Sequence, residues 1–227
     1  MTAVPRKRQP EAQDPSPAQR VKASIDNIAR DVRDRTARAS QALGRQADDL
    51  HAALRQNPAW RTLDVQVRDG IRQQIDRFIE RQQRHLQERW DRTSDFAEQL
   101  DEVAARLADE QEAERDNAPT AADLDKRHLK QASELADLAT RTEASIATLM
   151  RMDEERMEEE RAAIAGALAA ASTDMIDAAF RRSDHDRSAS WRMYLDLRRL
   201  EQDVDRAAQN IFFKRTRRQR RSRPRND

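Results

Sequence analysis

Eight arginines and lysines crowd into twelve residues near the C-terminus: Lys214, Arg215, Arg217, Arg218, Arg220, Arg221, Arg223 and Arg225, with no acid among them. The planar guanidinium fork matches phosphate, and each phosphate neutralised on a nucleic acid releases condensed counterions. The run therefore points first to DNA or RNA. A nuclear targeting signal and docking on an acidic protein surface are other uses of the same chemistry, and a solubilising tail is the use without a partner.

Other residues with chemical potential do not assemble into a catalytic or metal pattern. Asp184-His185-Asp186 offers ligand types, but three adjacent side chains rarely converge on one ion. The histidines (His51, His85, His128, His185) are scattered, and no Glu-x-x-His pair of the di-iron kind is present. Glu154, Glu155, Glu158, Glu159 and Glu160, with Met152 and Met157 interleaved, read as a wet helix face. Trp90, Phe96, Trp191 and Tyr194 fall at helical spacing and read as buried seam residues rather than a base-stacking platform. There is no Gly-rich phosphate loop, and cysteine is absent, which removes thiolate chemistry and a disulfide framework. The expectation is a non-enzymatic protein without cofactor, metal or small-molecule substrate.

The elements that must carry these residues are long helices. Charged side chains make up 37% of 227 residues, aromatics 4%, and there are only 3 glycines, a composition suited to extended helices with narrow apolar stripes. The stripes are periodic. Val21, Val32, Leu43 and Leu54 recur every eleven residues, as do Ile75 and Leu86, and Leu124, Leu135, Ile146, Met157 and Leu168. Eleven residues in three turns keep a seam on one side of a helix with little supercoiling. From Phe96 the spacing shortens to a heptad through Leu100, Val103 and Leu107.

Punctuation divides the chain. Residues 1–15, with Pro5, Pro10 and Pro15, read as a disordered arm. Helix 1 is expected over 16–56, opened by Ser16, Pro17 and Gln19 as a capping box. Helix 2 is expected over 57–116, from Asn57-Pro58, and helix 3 over 117–182, after Pro119. An amphipathic helix over 183–213 follows, then a disordered tail over 214–227. The fold class is thus all-α, an extended coiled coil or elongated helical bundle with mixed eleven-residue and heptad repeats. Stripes this narrow must meet one another, between chains in an elongated oligomer or, as the alternative, within one chain.

The overall charge of +1 hides segregation. Residues 98–160 carry 19 acids and 8 bases, a net of −11, while 214–227 carry 8 bases and one acid, a net of +7. The expected partner is protein, this chain itself or another helical subunit, with the basic tail as a tether to nucleic acid or an acidic surface. A nucleic-acid binder whose helices only dimerise the tails is the alternative. A membrane-surface helix is disfavoured, because interfacial helices are basic. The first residues hold no apolar run of the secretory kind, so the expected location is cytoplasmic, nuclear or inside a virion, and not secreted.

Overall fold

The computed structural model describes residues 14–116, 121–170, 172–185 and 188–219. All of its regular structure is helical: α1 (Pro17–Gln56), a 3-10 turn (Pro58–Arg61), α2 (Val65–Asp116), α3 (Ala121–Ala170), α4 (Thr173–Ser183) and α5 (Ala189–Gln219). The expected arm lies outside the described residues as far as residue 13.

Local chemistry sets the ends. Gln19 donates its backbone N–H to the Ser16 hydroxyl, and Ser16 N–H donates to Gln19 Oε1, with Pro17 at the first helical position. At the far end Asn57 accepts from Ala59 N–H and donates Nδ2 to the Leu168 carbonyl, 2.9 Å each. One buried amide thus caps the turn and satisfies a terminal carbonyl of α3. Helix 2 departs from expectation here. Pro58–Arg61 forms a 3-10 turn that buries Trp60 under Arg68 and Arg72, and Asp64 caps the new start by accepting from Gln66 N–H.

The long helices run side by side. Arg20, Asn27 and Arg35 of α1 meet Asp137, Glu143 and Glu154 of α3 in ascending order, so these two are parallel. α2 runs against both, with His51 beside Asp76 and Gln111 beside His128. α4 and α5 follow α2: Gln74 reaches Asp177, and Gln99 reaches Asp205. α1 packs on α2 and α3, and α5 packs on the same two.

Helix 3, expected to reach residue 182, ends at Ala170, and α4 turns back along α2. Leu168 is already level with Asn57, where α1 stops. A straight continuation would carry Ile176 and Phe180 beyond any neighbour. Reversal instead buries both, with Phe180 edge-on to Phe78 at 6.4 Å. The last helix also departs from expectation: it starts at Ala189 and continues six residues past 213.

Two apolar cores result. The long core joins Val21, Ile28 and Val32 with Phe96, Leu100, Leu107, Leu135, Ile146, Met150, Leu197, Val204 and Ile211. The short core joins Leu50, Leu54 and Trp60 with Ile71, Ile75, Phe78, Ile164, Leu168, Ile176 and Phe180.

Candidate functional site

Between the two cores lies a layer of charge. His85 and Arg89, one turn apart on α2, face the same way, and Asp153 of α3 stands opposite. His85 Nε2 lies 2.9 and 3.0 Å from the two Asp153 oxygens, and Arg89 Nη1 donates to Oδ2 at 3.0 Å. The three residues are 4%, 1% and 0% exposed. Charges so deep are retained only when paired. The pairing is incomplete, since Arg89 Nε and Nη2 have no partner among the described residues. Thr93 closes the layer below by donating its hydroxyl to the Arg89 carbonyl at 2.6 Å.

The layer reaches every neighbouring helix. Glu154 lies 4.0 Å from Arg89 Nη1 and accepts from Arg35 of α1 at 3.0 Å, and Arg35 also holds Asp31. Burial works against the Arg35 charge, but the Asp31 hydrogen bond and the field of Glu154 outweigh it and raise its pKa. On the other side Glu160 accepts from Gln82 Nε2 at 3.2 Å and from the N–H of Ala189, the first residue of α5. Burial pushes the Glu160 carboxyl up, opposed by those two hydrogen bonds and by Arg81 and His85. Arg156 meets Asp196 at 2.9 Å, and Arg81 holds Asp184 and Ser183. The His85–Arg89–Asp153 centre is sealed from solvent, and the belt around it, partly exposed at Arg35, Glu154, Arg81 and Asp184, ties the helices to one another.

The acidic run is therefore only partly a wet face. Glu155, Glu158 and Glu159 are exposed, but Glu154 and Glu160 are half-buried in the layer, because they lie on the flanks of the stripe where α1 and α5 close over α3. Trp191 also departs from the seam reading. It is 45% exposed and stacks on Tyr194 at 5.6 Å, with Arg92 over the Tyr194 ring. Of the residues assigned to the helix seam, Val21, Val32, Leu43, Leu54, Ile75, Leu86, Leu135, Ile146 and Leu168 are buried, and Leu124 and Met157 are half-buried.

The basic run divides in two. Lys214, Arg215, Arg217 and Arg218 lie on α5, which is helical through Gln219. The expected tail is thus helical in its first part, as suits a stretch with no Gly or Pro before Pro224 and with cations at a helix C-terminus. Arg220, Arg221, Arg223 and Arg225 lie outside the described residues. Asp184 pairs with Arg81, and Asp186 lies outside the described residues. Among the described residues no group of three His, Cys, Asp or Glu side chains could hold one metal ion, and no helix is long and apolar enough to cross a membrane.

The ionic layer is readable in principle. The α2 stripe runs Ile75, Phe78, Gln82, Leu86, Arg89, Thr93, Phe96, Leu100 at steps of three and four, and on α3 Asp153 occupies such a slot between Met150 and Met157. Polar residues in slots of an apolar stripe on two helices are the signal. Comparison with protein-family models, with curated proteins and with solved structures finds no match to this chain.

Proposed function

We propose that this chain is a non-enzymatic assembly protein: an elongated helical bundle that engages a protein partner and is tethered through its Arg-rich end to nucleic acid or an acidic surface. The observation that carries the reading is the way α5 presents the basic run. Val204, Ala208 and Ile211 root α5 in the long core, and Arg106 stacks over the Phe212 ring at 4.5 Å. The same helix continues through Gln219. Lys214, Arg215, Arg217 and Arg218 then fall within about half the helix circumference at 3.6 residues per turn. Such a cationic stretch, held at one end by a rigid body, suits phosphates along a backbone and has no element to read bases.

The stripes bury one another within the chain, so a further copy or another helical subunit would bind on the outer faces. Titrating the full-length protein onto duplex DNA across a salt series tests the tether. Affinity should fall linearly in log–log form. Arg217→Gln, Arg218→Gln, Arg220→Gln and Arg221→Gln together should reduce the slope by about 0.9 for each phosphate no longer neutralised. Absence of binding to DNA or RNA at low salt would refute the nucleic-acid tether and leave an acidic protein surface as the target.

A further inference from the structure

A groove runs along the first turns of α1, and beside it α2 and α3 run on past the start of that helix. Arg20 lies 117 and 113 residues ahead of its α3 partners Asp137 and Ser133, which sets Pro17 beside residues 130–134. α3 begins at Ala121. Its first turns, with the end of α2, therefore run past the start of α1 by roughly 15–20 Å at 1.5 Å per residue. Leu129, on that overhang, is 61% exposed. Where α1 starts, a groove of about 620 Å³ opens along α1 and α2, floored by Val21, Ile25, Ala104, Leu107, Ala132 and Leu135.

Its rim carries Asp26, Glu98 and Asp101 against Lys22, a net of −3 + 1 = −2. None of the three acids forms an ion pair among the described residues, and all are exposed. The chain ahead of Asp14 carries Arg6, Lys7 and Arg8 against Glu11, a net of +3 − 1 = +2. Pro5 and Pro10 forbid a simple upstream extension of α1. An extended segment advancing about 3.1 Å per residue reaches roughly 40 Å over residues 1–13, against the roughly 15 Å of helix between Ser16 and Asp26. Attachment at Ser16 places that segment beside the groove, whereas no residue of α5, the helix that leads into the C-terminal basic run, lines it.

We propose that residues 1–13 of the same chain dock in this groove, with Arg6, Lys7 and Arg8 on the rim of Asp26, Glu98 and Asp101. Docking would fold the segment back along the first turns of α1 and over the groove they line. The chain has no native cysteine, so Thr2→Cys carries a single spin label on the full-length protein. Amide signals of residues 18–26 and 97–111 should lose intensity, and the loss should persist on dilution. Glu98→Lys with Asp101→Lys, both at exposed positions, should restore the signals. Adding Arg6→Glu, Lys7→Glu and Arg8→Glu to that background should bring the loss back. Full intensity in the groove of the labelled parent overturns the proposal. So does loss confined to other regions, loss that fades on dilution because a second copy fills the groove, or a charge swap that restores nothing.

Discussion

At the Trp60 end of the molecule, Trp60, Phe78 and Phe180 fill the short core, and α1 and α3 stop level with each other, tied by Asn57 to the Leu168 carbonyl. At the other end Val21, Leu107 and Leu135 are buried in the long core beneath a groove along the first turns of α1, and α2 and α3 run on past the start of α1, where Leu129 is 61% exposed. One stripe pattern serves both ends. Closure is decided by where the helices stop, and stops are set by caps and turns rather than by periodicity. An apolar stripe promises burial only where its neighbours are long enough to provide it.

The ionic layer separates these cores, and removing its centre should have the largest effect. Asp153→Ala would leave the Arg89 guanidinium and His85 buried without their shared partner, at a cost of about 3–5 kcal/mol in denaturant unfolding. Replacing His85, Arg89 and Asp153 together by Leu should be neutral or stabilising, because the desolvation of all three is then relieved. If the triple variant is as damaged as Asp153→Ala, the layer contributes net stability and the cores are not separate units.

Phe180→Ala sharpens the comparison. The cavity it opens should cost about 3–5 kcal/mol, similar to Ile146→Ala in the long core at about 2–5 kcal/mol. The distinguishing readout is hydrogen exchange, since contiguous units open with their own free energies. Phe180→Ala should speed exchange across residues 164–180 much more than across 135–150, and Ile146→Ala should do the reverse. Equal acceleration in both regions for either variant would mean that the continuous helices make the two cores one cooperative unit.

How much of this is legible in the sequence follows from which signals are local. The Ser16-Pro17-Gln19 cap is read from three residues and is present in full. The all-helical class follows from composition, because a chain this charged and poor in glycine and aromatics favours long helices. The break after Ala170 is not legible: the eleven-residue step runs on through Ala179, which is buried on the reversed α4. Only the level of Asn57 against Leu168, a contact across 111 residues, shows why α3 must stop. Asp153 shows another limit. Its slot in the stripe is visible, but a lone carboxylate in a stripe has no meaning until His85 and Arg89 are known to face it.

The smallest expected effect concerns the joint between the layer and α5. Glu160 receives the N–H of Ala189 and the amide of Gln82, yet burial leaves its carboxyl titrating above its ordinary value of 4.5. A group whose pKa is raised by folding supports the fold while protonated. That support is complete below the unfolded value and is lost as pH rises through the folded one, so at neutral pH the buried carboxylate is a net cost. Glu160→Gln keeps a carbonyl for Ala189, and Gln82 can turn its otherwise unpartnered Oε1 toward the new amide. The loss is the attraction between a carboxylate and the N-terminus of α5, which the direction of the shift shows to be the weaker influence. Glu160→Gln should therefore stabilise the protein slightly at pH 7, by much less than Phe180→Ala destabilises it. The difference from the parent should shrink as pH falls and disappear below about pH 4.5. A difference that stays constant from pH 7 to pH 4 would show that Glu160 acts through packing alone, and a loss of stability at pH 7 would show that its charge holds α5 to α3.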